Sequence, residues 1–255
     1  MGVALLAAAA ALGTWAGVGG SSSPTPTQAA QLARQAEQAA LARGSFHYVV
    51  TSTEAGTGQS IVGDAARNQG RQVITAAGDT FDVRVVGQGC WFEGDTTAMV
   101  ENLGLSATQA QPHSGQWISL ATTDAPYQSV YAAVTTTSAL SDNITFTPKM
   151  ETAETTVAGQ RVIGIQGPLT GIQGIAAQGT GVLYVTAGGR HLPVRYVEHG
   201  SIGSGSSTST LSFAMDFSAW GESVSVAEPP GAVAFSTFGT PAGTPGTFPG
   251  TTIIA

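Results

Sequence analysis

Three pairs of carboxylates stand close enough in sequence to act as an acid–base pair or to bind a cation. They are Asp79 and Asp82, Glu93 and Asp95, and Glu151 and Glu154. Each pair lies beside a predicted turn or strand end. Carboxylates at such positions more often cap a helix or remain solvated, and we favour that interpretation over acid–base chemistry or ion binding.

The remaining residues with chemical potential are four histidines and one cysteine. The histidines, which show no metal-ligand spacing, are His47, His113, His191 and His199. A single cysteine, Cys90, excludes an intramolecular disulfide and a multi-cysteine zinc site. It lies between a glycine turn and Trp91-Phe92, and an aromatic neighbourhood without a nearby base does not lower a thiol pKa. We therefore predict a buried, inert thiol.

Established catalytic motifs are absent from the sequence. It contains no Gly-x-Ser-x-Gly nucleophile elbow and no His-Glu-x-x-His metal motif, and its only lysine, Lys149, lies outside any phosphate-binding glycine loop. These observations predict a protein that is not an enzyme and that has no metal or cofactor.

The composition is apolar and acidic. Of the 255 residues, 42% are hydrophobic and 10% are charged, against roughly 25% charged residues in an average soluble protein. This is enough apolar material for a core, so the chain is not a charge-rich disordered protein. The net charge is −7 and no basic run occurs, which argues against a nucleic-acid-binding surface.

Both ends differ from the body of the chain. Residues 3–19 form an uncharged apolar stretch, and a signal peptide needs about 7–15 such residues whereas a spanning helix needs about 20. A Gly/Ser/Pro/Thr linker follows, so residues 1–24 are interpreted as a signal sequence or N-terminal anchor plus linker. The alternative is an alanine-rich helix without targeting value. No lipobox cysteine follows the apolar stretch, and residues 240–255 are predicted to be disordered.

Helix signals occur at three places. Residues 25–43 are predicted to form a helix with Thr25 as N-cap, Pro26 as its first residue, Gln28 as capping-box partner and Gly44 after its end. Asp95 is predicted to cap a second, short helix.

A third helix is predicted to start at Asp124 and Pro126. Its apolar stripe follows helical spacing and consists of Tyr127, Val130, Tyr131 and Val134. The stripe is typical of ordinary core packing, and it would equally serve a helix that closes one side of an apolar pocket.

The rest of the chain alternates with period two, which predicts β-strands. The predicted strands cover residues 46–53, 61–66, 72–75, 81–86, 90–92, 181–186, 192–199 and 211–217, with another at Val224 and Val226. Residues 200–210 are predicted to form an exposed loop. One apolar and one polar face per strand indicates an antiparallel sheet with one side on a core.

Five segments, in this order, resemble a known family. They are GCWFEGD at 89–95, LGL at 103–105, GQWIS at 115–119, LYVT at 183–186 followed by GRHLPVR at 189–195, and FSAWGESVSV at 217–226 with Pro229-Pro230. Together they resemble the actinobacterial lipoproteins of the LppX/LprG group, within the LolA/LolB-like superfamily.

The resemblance implies an α+β fold over residues 25–239. The fold expected is a curved antiparallel β half-barrel of LolA type, with helices covering the concave face of the sheet and an apolar cavity between them. The residues expected to line this cavity are Val83, Val85, Met99, Leu103, Leu105, Val130, Val134, Leu183, Val185, Phe213 and Met215.

The implied function is that of a cell-envelope carrier for lipids or lipoproteins, which holds acyl chains in the cavity and uses no cofactor. Its expected partners are a lipid or lipidated molecule and a membrane surface, with no nucleic acid, and the protein is expected to be a monomer. It is expected to be exported to the cell envelope or beyond. The alternative is a non-enzymatic extracytoplasmic sensor or interaction domain on the same scaffold, with a collapsed core.

Overall fold

The structure is a computed structural model. It describes residues 27–54, 56–76, 78–132, 134–141, 143–170, 177–204 and 207–239. The predicted signal sequence or anchor and the predicted disordered tail lie outside the described residues.

One large sheet dominates the described residues. Its strands are β1 (Ser45–Glu54), β2 (Thr57–Ala66), β3 (Gln69–Ala76), β4 (Asp79–Val86), β5 (Gly89–Glu93), β6 (Trp117–Leu120), β7 (Met150–Glu151), β8 (Thr155–Val157), β9 (Gln160–Pro168), β10 (Ala177–Thr186), β11 (Pro193–Ser204), β12 (Ser207–Ser218) and β13 (Val233–Ala234). The order across the sheet is β13-β6-β5-β4-β3-β2-β1-β12-β11-β10-β9-β7, and β8 also pairs with β9. Neighbours are antiparallel except β13 and β6, and the sheet is open.

The register of the strands places alternate side chains on one buried face. One continuous row of cross-strand partners consists of Phe81, Ile74, Ile61, Val50, Met215, Tyr196, Leu183 and Ile165. All eight side chains are buried. This pattern confirms the period-two alternation predicted for β1, β4 and β12.

Five α-helices are described: α1 (Gln28–Arg43), α2 (Thr96–Leu103), α3 (Ala107–Ala110), α4 (Tyr127–Ala132) and α5 (Thr136–Ser141). Buried residues of all five helices belong to the same hydrophobic core as the buried face of the sheet. The structure thus shows a large open antiparallel sheet with few helices. The curved half-barrel and its covered concave face stay predictions. No helix within the described residues is long and apolar enough to span a membrane.

The first helix starts later than its sequence predicts. Its N-cap is Thr27, whose hydroxyl accepts a hydrogen bond from the Ala30 amide at 3.2 Å, so the assignment of Thr25 as N-cap was wrong. Gln28 is the first helical residue instead of a capping-box partner. Gly44 ends the helix in a left-handed conformation with φ 76°, as predicted.

The predictions for the second and third helices had different outcomes. Asp95 caps α2 by accepting from the Ala98 amide at 2.7 Å, as predicted. The assignment of Asp124 as a helix start was wrong, because its carboxylate accepts from the amide of Ala121, before the helix. Val134 lies beyond the end of α4, although its side chain is buried.

Two further strand predictions were wrong. Residues 200–210 do not form a loop, because β11 and β12 continue through most of them and pair from Gly200 to Ser204. Val224 and Val226 form no strand. This segment instead lies beside the sheet, where the Gln69 side chain donates to the Val224 carbonyl at 2.8 Å.

Gly70 of β3 marks a close approach between the sheet and the chain after α4. A Cβ at this position would lie 2.4 Å from the Val134 carbonyl oxygen and 2.8 Å from the Asp64 carbonyl oxygen. Both neighbours are backbone atoms, which cannot rotate away. The chain after α4 can therefore pack against β3 at this point only because residue 70 is a glycine.

We expect Gly70→Ala to lower the free energy of unfolding by about 1–3 kcal/mol, the usual cost of overpacking a core. Gly58→Ala is the matched control, because a Cβ there would meet no atom within 4 Å. Urea unfolding of both variants measures the difference. Equal stability of the two variants would contradict the close packing of Val134 on β3.

Candidate functional site

An apolar groove runs beside helix α1. Its volume is about 320 Å³, and it is lined by Ala30, Ala33, Arg34, Glu37, Leu140, Ile144, Phe146, Pro148, Leu183 and Pro193. Helix α1 forms one side of the groove. The other side is formed by α5 and by residues 143–149, and we call residues 143–149 the wall segment. Strands β10 and β11 contribute one residue each. A volume near 300 Å³ lies at the small end of the range for ligand pockets.

The groove exists because α1 carries small residues where it faces the wall segment. The residues that α1 buries in the core are Ala29, Leu32, Ala36 and Ala40. Ala30 and Ala33 are only partly buried and line the groove. Larger side chains at these two positions would fill the space between α1 and the wall segment.

Both charged groups that line the groove lie on α1. Arg34 and Glu37 are exposed, and neither belongs to an ion pair within the described residues. The Arg34 guanidinium is therefore available to an anionic group of a ligand whose apolar part lies in the groove.

Two sets of contacts hold the wall segment on the sheet. Along β9, the amides of Thr147 and Lys149 donate to the carbonyls of Pro168 and Gln166, each at 2.9 Å. Over the buried face, the Phe146 ring stacks on Tyr196 with 5.6 Å between ring centroids. The aromatic wall of the groove thus lies directly on a residue of the core.

Glycines make room for this segment. A Cβ at Gly167 of β9 would lie 1.8 Å from the Thr147 carbonyl oxygen. A Cβ at Gly181 of β10 would lie 2.8 Å from the Tyr196 hydroxyl and 2.9 Å from Phe146 Cβ. At these two positions the wall segment therefore approaches the backbone of the sheet more closely than a residue with a side chain would allow.

A buried polar network lies beneath the wall segment. The Tyr196 hydroxyl and the Thr145 hydroxyl both donate to Glu198 Oε1, the second at 2.9 Å. The Thr145 amide donates to the Tyr196 hydroxyl at 3.2 Å. Thr145, one residue before Phe146, thereby links the groove wall to strand β11.

Glu198 is the most unusual member of this network. Its side chain is 0% exposed, and its Oε2 has no hydrogen-bond partner among the described residues. Burial raises the pKa of the carboxyl to about 7, although the hydrogen bonds from Tyr196 and Thr145 act in the opposite direction. Burial also raises the pKa of Tyr196, and the neighbouring Glu198 charge adds to this. Glu198 therefore titrates near neutral pH.

All eleven residues predicted to line a cavity are buried in the hydrophobic core. These residues, Val83, Val85, Met99, Leu103, Leu105, Val130, Val134, Leu183, Val185, Phe213 and Met215, have exposures of 3% or less. Of them, only Leu183 also lines the groove. Their contact with a ligand stays a prediction.

Sequence reasoning missed most of the groove. Ile144, Phe146 and Pro148 alternate with two threonines, a period-two pattern that the predicted strands did not include. Glu198 left a readable signal, because it continues the inward-facing alternation of Val194 and Tyr196 along β11. A glutamate at an inward-facing position of a strand is buried, so its carboxyl must be hydrogen-bonded, paired with a cation or neutral.

Several of the remaining candidate residues have structural partners. Asp82 accepts from Arg71 Nη2 at 2.7 Å, Glu154 pairs with Arg161 and Asp95 caps α2. Cys90 is buried, as predicted, and burial raises its pKa. Within the described ranges, no group of three or more His, Cys, Asp or Glu side chains is placed to hold a metal ion.

A second depression, of about 490 Å³, lies beside β3–β5 and is larger than the groove. Its charged residues are Arg71, Asp82, Glu93 and Asp95. The Arg71 and Asp82 side chains neutralise each other, and Asp95 is used as a helix cap. The groove beside α1 is the better candidate because its walls are mostly apolar and its two charged residues form no ion pair within the described residues.

Comparisons with known proteins give no family for the chain. No family model matches it, and no curated protein matches it. The similar solved structures include the complex of Pseudomonas aeruginosa MucA and MucB, and MucB in complex with MucA(peri). The first has 11% identity and a TM-score of 0.35 over 84% of this chain and 61% of that chain. The second has 11% identity and a TM-score of 0.33 over 87% and 63%.

The chain spans less than two thirds of either structure's chain. A likeness at these TM-scores assigns neither a detailed fold nor a function. The resemblance to the LppX/LprG group stays a prediction.

Leu103→Trp distinguishes a packed core from a cavity wall at the predicted lining positions. Leu103 is 0% exposed within the core, so we expect the larger ring to lower the free energy of unfolding by about 1–3 kcal/mol or more. Urea unfolding measures this loss. An unchanged stability together with lost lipid retention would instead place Leu103 at a void.

Proposed function

We propose that the protein is an exported, non-enzymatic binding domain that holds one acyl chain of an anionic amphiphile in the groove beside α1. The observation that supports this most directly is the apolar groove itself, formed by small residues of α1 opposite Ile144 and Phe146. This proposal keeps the lipid-binding role that the family resemblance implies. It moves the site from the sheet interior to the edge of α1.

The size of the groove limits the ligand. A space of about 320 Å³ suits one apolar chain better than a lipid with several chains. Burial of such a chain contributes about 0.8 kcal/mol for each CH₂ group. Useful affinity therefore needs no specific polar contact along the chain, in agreement with walls made of Leu140, Ile144 and Pro148.

The head group is proposed from charge complementarity. Arg34 lines the groove without a carboxylate partner among the described residues. Its guanidinium can form two parallel hydrogen bonds to a carboxylate, phosphate or sulfonate. Glu37, one turn further along α1, opposes this attraction, so we expect Arg34 to contribute modestly.

A second candidate is an interaction domain that binds a protein on its surface. The observation in its favour is that all the predicted cavity residues are buried in the hydrophobic core, which is compatible with a collapsed version of the scaffold. This function requires no ligand in the groove, and the next experiment separates the two.

The first test is native mass spectrometry of the full chain, purified from an expression host that is closely related to the source organism and supplies its natural lipids. We expect a bound species of lipid mass that is lost on denaturation. Ala33→Trp should weaken binding about tenfold or more, because the indole displaces at least two CH₂ groups of the ligand from the groove. Gln35→Trp, an exposed position of α1 outside the groove, is the control. A clean mass after incubation with envelope lipid extract favours the interaction domain.

The role of Arg34 is tested with two single-chain probes, decanesulfonate and an uncharged decyl glycoside. Arg34→Gln should weaken decanesulfonate binding about two- to fivefold, the size expected of an exposed charge pair. The uncharged probe should bind as before. Arg67→Gln, which removes the same charge at the exposed β2–β3 turn, is the control. Calorimetry measures the affinities. An equal loss of affinity for both probes, or in both variants, would contradict a contact between Arg34 and the head group.

A further inference from the structure

The wall segment is attached to a carboxyl group that has no positive charge to stabilise it. Thr145 donates to Glu198 Oε1 and, through its amide, to Tyr196. Phe146, the next residue, stacks on Tyr196 and lines the groove. A rearrangement around Glu198 that moves Thr145 therefore also moves Phe146, which lines the groove.

The two protonation states of Glu198 make different demands on this packing. A neutral carboxyl whose Oε1 accepts both hydrogen bonds carries its proton on Oε2, which leaves one uncharged O–H group without a partner. An ionised carboxyl leaves a buried charge with donors on one oxygen only, which is far more costly. Hydration of Oε2 would relieve that cost, but Tyr196 and Phe146 fill the space above the neighbouring Gly181. Water can reach the carboxylate once the wall segment moves.

The groups that face Glu198 do not supply a compensating cation. Tyr196 shares its face of β11, Phe213 and Gly181 are its cross-strand neighbours on β12 and β10, and Thr145 lies above it. The charged and titratable groups around this region are Arg34 and Glu37 on α1, Lys149 in the wall segment, and Arg195, His199 and Asp216 on the other face of the sheet. Within the described part of the chain, none of them forms an ion pair with Glu198.

We propose that Glu198 is a proton-operated latch for the wall segment. With the carboxyl protonated, the wall segment stays packed beside the groove; ionisation loosens the segment and weakens ligand binding. The ligand-binding half of this inference rests on the proposed function, whereas the loosening of the wall does not.

The direction of the pH effect follows from proton linkage. The folded state holds the Glu198 proton up to a pH of about 7, well above the usual range of a glutamate. The stabilisation of the packed wall is therefore complete only below the usual pKa of a glutamate, declines as the pH rises above it, and is lost by a pH of about 7. By reciprocity, a ligand that needs the packed wall must increase proton binding at Glu198.

The test compares the wild-type protein with Glu198→Gln, which keeps the shape of the neutral carboxyl and cannot ionise. Decanesulfonate is the probe, because its own charge is constant between pH 6 and pH 8. We expect wild-type affinity to fall about fivefold or more over this interval, and the affinity of Glu198→Gln to stay nearly level. Both proteins carry the same histidines, so an equal fall in both overturns the latch.

Hydrogen exchange without ligand measures the latch by itself. After correction for intrinsic rates, exchange in residues 143–149 should increase from pH 6 to pH 8 in the wild type and not in Glu198→Gln. If decanesulfonate binds at neither pH, the proposed function fails and the exchange result alone decides the latch. If the probe binds equally at both pH values and exchange is unchanged, the latch fails and the proposed function stands.

Thr145 variants keep the test decisive if Glu198→Gln does not fold. Thr145→Val removes a donor that favours the ionised carboxyl, so the exchange transition should move to higher pH. Thr145→Ser keeps the hydroxyl and should leave the transition near its wild-type position. A transition at the same pH in all three proteins contradicts the assignment to Glu198.

Discussion

The structure depends on one constraint: every long strand must place its alternate side chains on the same buried face. Antiparallel pairing enforces this strand by strand, because a slip of one residue would turn a whole apolar row to solvent. The row from Phe81 to Ile165 crosses eight strands without a break. Side chains of all five described helices complete the same core. The groove, its wall and the polar network all lie at one end of this face.

Much of the fold could be predicted because period-two alternation is a local signal. It identified β1, β4 and β12, and the glycine turn between β4 and β5. It failed where tertiary contacts decide. Val224 and Val226 alternate like a strand, yet their backbone meets a side chain of β3 instead of a neighbouring strand. Residues 200–210 are rich in glycine and serine, and cross-strand pairing in the β11–β12 hairpin overrides that composition.

The site was harder to predict than the fold. The apolar residues chosen as cavity lining do face inward, but whether an inward face encloses space depends on how neighbouring elements fill it. Here the predicted lining residues are buried, and the open space lies where α1 carries Ala30 and Ala33 opposite the wall segment. Neither alanines nor a short period-two segment indicates a ligand site in sequence. Glu198 was the one readable exception, because a charge at an apolar strand position has to be explained.

The position of Glu198 becomes understandable from the glycines around it. Gly167 and Gly181 let the wall segment approach the sheet closely, and the same glycines deprive the segment of side-chain contacts below it. The apolar attachment of the wall segment to the sheet therefore depends largely on the stacking of Phe146 on Tyr196. Hydrogen bonds through Thr145 and Tyr196 supply the rest of the attachment beneath it. An attachment that depends on a buried carboxyl depends on its proton, whereas an apolar contact of the same size would not. The glycines that allow the wall to form thus also make it sensitive to pH.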